Sequence, residues 1–176
     1  MLVFMTTAQT IAIDFDEEMK NTRTLLERVP LDEAHRGYKP HEKSMSLERL
    51  ATHVAELPSW PKMALDSEVF ELSADFKPSI AASTAELLEI FDRSVEQGRA
   101  ALDAATEEDM QKTWTFRFRD FSTGNVRTKV IRSFINHLVH HRAQLGVYLR
   151  LNGIPIPGMY GPSADDQWPG RDAAKK

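Results

Sequence analysis

The chain has 176 residues, of which 41% are hydrophobic and 27% charged, with a net charge of -4 and no cysteine. This length suits a single domain with a proper core, predicted over residues 1–176 with a C-terminal tail from about residue 153. The acidic excess gives no general attraction for nucleic acid, no apolar run reaches the ~18 residues needed to cross a bilayer, and the lack of cysteine excludes disulfides, thiolate nucleophiles and zinc–thiolate sites.

The chain begins with M-L-V-F-M, which carries no basic residue and runs quickly into acids. We therefore expect no secretory signal and a cytoplasmic protein. Apolar residues then recur every four and three positions from Phe15 to Val29, which predicts a first helix ended by Pro30. The charged segment 31–44, with Gly37 and Pro40, indicates a loop.

Ser46 is suited to cap a second helix, in which Leu47, Leu50, Val54 and Leu57 form an apolar stripe until Pro58 and Pro61 break it. His53 lies on the flank of that stripe. The segment from Pro61 to Pro78 mixes acids with apolar residues and indicates loop, with room for one short helix.

A third long helix follows Ser83, which forms a capping-box pattern with Glu86, and it continues to Leu102. Gly98 lowers helix propensity, which suggests a closely approaching neighbour. Between Trp114 and Arg119, aromatic residues alternate with polar ones and Gly124-Asn125 follows, which predicts a small hairpin or an extended excursion.

The last helix is predicted from Val126 to Asn152, ended by a left-handed cap at Asn152-Gly153. His137 and His141 lie four residues apart on or beside its apolar face, whereas His140 is rotated away and is expected to be exposed. With four long amphipathic helices and four-three spacing, the sequence predicts an all-α four-helix bundle with a short hairpin or extended excursion before the last helix.

Histidines four residues apart on one helix face can both reach one metal ion, although core or capping histidines bonded to carbonyls share this spacing. His53 strengthens the metal interpretation, because facing side chains of helices are where bundles build metal sites. We therefore predict a divalent metal ion on His53, His137 and His141, with one coordination position open.

Other residues have both a functional and a structural interpretation. Gln144 and Tyr148 share a side of the helix with the histidines and could line the site, but packing and polar capping explain them equally. Glu56, one turn after His53, is a candidate general base that the helical angle directs away from the stripe, as for a solvated acid. Two further groups each allow two interpretations. The aromatic residues Trp60 and Trp114 either form the wall of a pocket or fill the core. The basic residues either attract an anionic substrate or lie in solvent (Arg117, Arg119, Arg127 and Lys129).

The sequence resembles the DinB-like proteins in three motifs: L-A-T-H-V-A-E-L-P-S-W at 50–60, N-H-L-V-H-H-R-A-Q-L-G-V-Y-L-R at 136–150, and I-P-G-M-Y-G-P-S-A-D-D at 156–166. The resemblance implies a four-helix bundle that binds nickel or zinc through His53, His137 and His141 and pairs as a homodimer. Ala143 replaces a frequent glycine. Relatives in the wider superfamily are thiol-dependent transferases and isomerases.

Three functions follow from these features. The first is a metal-dependent enzyme in which the metal activates water or a thiol cosubstrate, of hydrolase or thiol S-transferase type, with an unknown small-molecule substrate and no assigned catalytic residue. The second is a non-catalytic metal-binding or stress-response module that associates with a partner. The third is a metal-free helical protein with satisfied histidines. No nucleic-acid or membrane partner is expected.

Overall fold

The computed structural model describes residues 4–166. Residues 1–3 and 167–176 of the predicted domain 1–176 lie outside this range, so the beginning of the M-L-V-F-M segment and the end of the predicted C-terminal tail are not described. The helices and strands, in chain order, are α1 (Thr7–Leu26), α2 (Leu47–Glu56), α3 (Trp60–Asp66), β1 (Val69–Glu71), α4 (Thr84–Ala104), α5 (Glu107–Gln111), β2 (Thr113–Phe118), β3 (Phe121–Val126) and α6 (Arg127–Leu151).

The prediction of an all-α four-helix bundle is wrong, because the fold includes a three-stranded mixed sheet of order β1-β2-β3. The excursion before the last helix is a hairpin, in which β2 and β3 pair antiparallel and the chain reverses at residues 119–120. Strand β1 adds a parallel neighbour to β2, with Phe70 opposite Phe116. This strand lies in the segment assigned to loop, because three residues are too few to show strand alternation.

The helix ends follow the local signals in the sequence. Ser46 and Ser83 each cap a helix, accepting hydrogen bonds from the backbone N–H groups of Arg49 and Glu86. Gly153 has φ = +71°, the left-handed conformation that ends α6. The first helix is longer than its predicted stripe, because Thr6 forms a capping box two turns before Phe15.

Helix α4 packs closely on the turn that follows α2. A Cβ atom on Gly98 would lie 2.0 Å from the carbonyl oxygen of Pro58, so only glycine permits this approach. The prediction of a close neighbour at Gly98 is therefore confirmed. Helix α1 packs on α4 and α6, and α2 lies between α4 and α6. The largest fully buried side chains of this core include Phe15, Leu50, Phe91 and Ile131.

The sheet covers the side of the helical layer where α3 ends and α6 begins. This position decides the environment of the functional site, because β-strands, rather than solvent, face that part of α6. Among the described residues, no helix combines the length and the apolarity that a membrane crossing requires.

Candidate metal centre

Three histidines from two helices meet inside the fold. His53 lies on α2, and His137 and His141 lie one turn apart on α6. The ring centroid of His53 lies 5.3 Å from that of His137 and 4.8 Å from that of His141. One ring nitrogen from each histidine lies within 4.8 Å of the others, so the three side chains could hold a metal ion. That they bind one stays a prediction.

The separation of the ring nitrogens suits shared coordination. The Nε2 atoms of His53 and His137 lie 3.2 Å apart. Two nitrogens bound at about 2.0–2.1 Å to one tetrahedral ion are separated by roughly 3.3 Å. Among the described residues, no carboxylate forms an ion pair with any of the three imidazoles. The donor set is therefore three nitrogens without an acidic partner.

All three imidazoles favour the neutral form that binds metals. Burial, helped by the charges of His141 and Arg49, lowers the pKa of His53 to about 4. Burial also lowers the pKa of His137 and of His141, although a hydrogen bond to Gln144 opposes the shift at His141. At neutral pH the rings therefore keep lone pairs for a metal ion.

The two residues predicted to line the site have different environments. The Nδ1 atom of His141 lies 2.8 Å from Oε1 of Gln144, and with Nδ1–H donating to that oxygen, Nε2 is left as an acceptor. Tyr148 lies one turn further along α6. Its hydroxyl donates to the carbonyl oxygen of Met45 at 3.2 Å, and its ring packs edge-on against Tyr38. Gln144 thus contacts a histidine, whereas Tyr148 attaches α6 to the loop before α2.

A cavity of about 760 Å³ lies beside the histidines; His53 is part of its lining, together with several aromatic side chains. Trp60 stacks on His137 with centroids 5.5 Å apart, and it contacts the edge of the His53 ring. Trp60 and Trp114 both line the cavity, and Trp114 also belongs to the buried core, so the two interpretations of these aromatics do not exclude each other. Phe70 of β1 and Phe116 of β2 close the opposite side. This wall was not predicted, because the sequence analysis did not predict the sheet that forms it.

The charged residues singled out in the sequence have different positions in the fold. Glu56 lines the cavity and accepts hydrogen bonds from Arg49 and from the hydroxyl of Ser79, so it is not an isolated solvated acid. Lys129 also lines the cavity. Arg127 is buried and donates to the carbonyl oxygen of Ser67, which is a structural role.

The sequence interpretation missed Arg49. It lines the cavity and lowers the pKa of both His53 and His141, so its guanidinium is close to the centre. The signal was present in the spacing, because Arg49 precedes His53 by four residues and shares its face of α2.

Comparisons with known proteins agree with this architecture. A family model described as the DinB family matches residues 4–171. A DinB-like protein from Bacillus cereus is 18% identical with a TM-score of 0.64, covering 84% of this chain and 94% of its own. A DinB-like protein from Bacillus subtilis is 22% identical with a TM-score of 0.64, covering 90% of this chain and 99% of its own. A structure described as a member of the DinB family from Exiguobacterium sibiricum is 22% identical with a TM-score of 0.59, covering 85% and 95%. No curated protein matches the chain.

Proposed function

The chain belongs to the DinB family, and from this premise we propose that it is a metal-dependent enzyme whose divalent ion is held by His53, His137 and His141. The observation that carries the proposal is the convergence of three neutral imidazoles, two of them with Nε2 atoms 3.2 Å apart, beside a large cavity. Neutral rings packed this closely favour a shared cation, because each brings a lone pair and no carboxylate of the described residues pairs with them.

When bound, such an ion supplies Lewis acidity, which makes water or a thiol more acidic at neutral pH. The protein side chains supply position and selection. Gln144 fixes the orientation of the His141 ring through its hydrogen bond, and Trp60 limits access of water to His53 and His137. The proposed reaction is hydrolysis of a small molecule or transfer of a thiol to an electrophile. No general base is assigned.

The cavity favours this enzyme over a non-catalytic metal-binding module. A structural metal site is expected to be closed by a fourth protein ligand, whereas a catalytic site keeps a position open. Among the described residues, the histidine group has three members, and the cavity that His53 lines has room for a substrate. Nickel or zinc as the metal, a homodimer and a cytoplasmic location stay predictions.

Metal analysis of untagged protein tests the proposal. We expect about one divalent ion per chain in the unmodified protein and a loss of that ion in both His53→Ala and His141→Ala. His140→Ala is the matched control, because this exposed histidine neighbours His141 and lies outside the cluster. Unchanged metal content in both cluster variants would remove the proposal.

A screen of reactions then separates the two chemistries. Metal-loaded protein is supplied either with ester and amide substrates in water or with a small thiol and an electrophile. We expect turnover in one of the two series, lost in His53→Ala and retained in His140→Ala. A protein that binds metal and is inactive in both series would favour the metal-binding module instead.

A further inference from the structure

The cavity beside the histidines has an apolar interior. Trp60 and Phe134 lie on its helical side with ring centroids 5.2 Å apart, and Trp114 from the sheet lies 5.7 Å from Phe134. With a volume of about 760 Å³, the space suits an organic molecule with a substantial hydrophobic part.

Arg49 brings a positive charge to the histidine end of this cavity. Its side chain is 17% exposed, and its ion pair with Glu56 is a single contact of 3.4 Å from Nη1. A guanidinium carries five N–H donors in a planar fork. Within the described residues Arg49 uses only one of them in a side-chain bond, so it keeps donors for a further acceptor.

Glu56, the acid that pairs with Arg49, also accepts a hydrogen bond from a second residue. Glu56 accepts from the hydroxyl of Ser79 through Oε1 and from Arg49 through Oε2. Of the described residues that line the cavity, it is the only acid, whereas Arg49 and Lys129 are both cationic. The lining therefore has an excess of positive charge, which the divalent ion proposed above would increase. An anionic ligand would complement this excess.

Position along α6 indicates the length of that ligand. Lys129 precedes His137 by eight residues, which is roughly 12 Å along a helix axis. Ser133 lies between them and also lines the cavity. The cavity thus extends along α6, away from the histidines, for about the length of a six-carbon chain with a ring.

We propose that the cavity binds an amphipathic monoanion, with its acid group on Arg49 and its apolar body between the sheet and α6. The inference deepens the proposed function by naming a substrate class, and it rests on that function only for calling the ligand a substrate; the position of the acid group rests on Arg49. Arg49 acts here as a binding residue that selects for negative charge.

Calorimetric titration with a matched pair of ligands tests the proposal. The probes are 6-phenylhexanoate and its uncharged amide, titrated into untagged protein that is either metal-free or loaded with zinc. We expect the acid to bind about tenfold more tightly than the amide, as for one charge-assisted pair. In Arg49→Gln the acid should lose this advantage, and in Arg49→Lys part of it should return.

Two further variants locate the site. Arg93→Gln is the matched control, because Arg93 is an exposed arginine of α4 outside the cavity lining, and it should keep the preference for the acid. Ser133→Trp places a large ring in the apolar space and should weaken both ligands about tenfold or more. If Arg49→Gln does not fold, the comparison of acid with amide and the Ser133→Trp result still decide.

Equal affinity for acid and amide would overturn the proposal, as would a preference that survives Arg49→Gln, or the absence of binding at millimolar concentration. The result is separable from the metal hypothesis. A protein that holds no metal yet prefers the acid through Arg49 would refute the metal site and support this inference.

Discussion

His141 and Arg142 are neighbours on α6, exposed by only 9% and 3%, but they lie in two different polar clusters. Arg142 faces α1, where it donates to the carbonyl oxygen of Glu18 and to Thr22 and pairs with the Glu18 carboxylate at 2.6 Å. Tyr160 accepts from Arg142 and donates to Glu18, which attaches the C-terminal tail. His141 contacts three other imidazoles, those of His53, His137 and the exposed His140, and it bonds to the amide of Gln144.

The difference between the clusters indicates which of the two could bind an external ligand. The cluster around Arg142 pairs a buried cation with a carboxylate, and both Nη atoms also donate to other oxygens of the chain. The cluster around His141 lacks a carboxylate among the described residues and brings lone pairs together. Buried polar groups are normally satisfied, so the incomplete cluster is where an external ligand is expected.

The largest expected effect comes from breaking the cluster around Arg142, in which the buried cation has its carboxylate partner. Arg142→Met should lower the free energy of unfolding by about 3 kcal/mol, because the Glu18 carboxylate, 16% exposed, loses its buried partner. Metal content should stay near one ion per chain. Urea unfolding and metal analysis of the same sample measure both properties. A variant that loses its metal but keeps its stability would reverse the roles of the two clusters.

Metal binding to the cluster around His141 should stabilise the folded protein. At a free zinc or nickel concentration 100 times the dissociation constant, the free energy of unfolding should rise by about 2.7 kcal/mol. For a chain of this length, that gain corresponds to about 5–10 °C in melting temperature. His53→Ala should abolish the gain and His140→Ala should preserve it. An equal gain in His53→Ala would assign the metal to another site.

The hydrogen bond from His141 to Gln144 should have a smaller effect. Gln144→Leu removes the acceptor that fixes the ring, and metal affinity should fall about tenfold. Tyr148→Phe serves as the control. Tyr148 lies on the same side of α6 as Gln144, but its hydroxyl bonds to the carbonyl oxygen of Met45 and not to a histidine. Competition with a metal-binding dye measures both variants. Equal losses in the two would indicate a general effect of α6 packing.

The pH dependence of metal-free protein should show the smallest effect. The pKa of His53 is about 4 in the folded protein, against about 6.5 when unfolded. Between these values the unfolded state binds more protons, so the contribution of His53 to stability is complete above pH ~6.5 and is lost as pH falls toward ~4.

Because His53 keeps part of its hydration, this loss should be on the order of 1 kcal/mol. Urea unfolding at pH 7 and pH 5 in chelator, compared between the unmodified protein and His53→Gln, measures it. The variant should lose less stability than the unmodified protein over this interval. Identical losses would show that other groups produce the whole pH dependence.

Local sequence patterns were enough to predict three helix ends and the histidine pair of α6. Ser46, Ser83 and Gly153 act through bonds and dihedral angles within a few residues, so their roles are visible in local patterns. His137 and His141 share a face because the helix repeats every 3.6 residues. The family resemblance and the face of α2 added His53.

The surroundings of the histidines depend instead on contacts between segments that are distant in the sequence. Strand β1 forms by pairing with β2 some 46 residues later, with Phe70 opposite Phe116, and no local pattern encodes that partner. The sheet thereby creates the cavity wall and corrects the all-α prediction. Likewise Gln144 and Tyr148 have equivalent places on α6, and only the packing of the loop before α2 directs Tyr148 to Met45 and leaves Gln144 on His141.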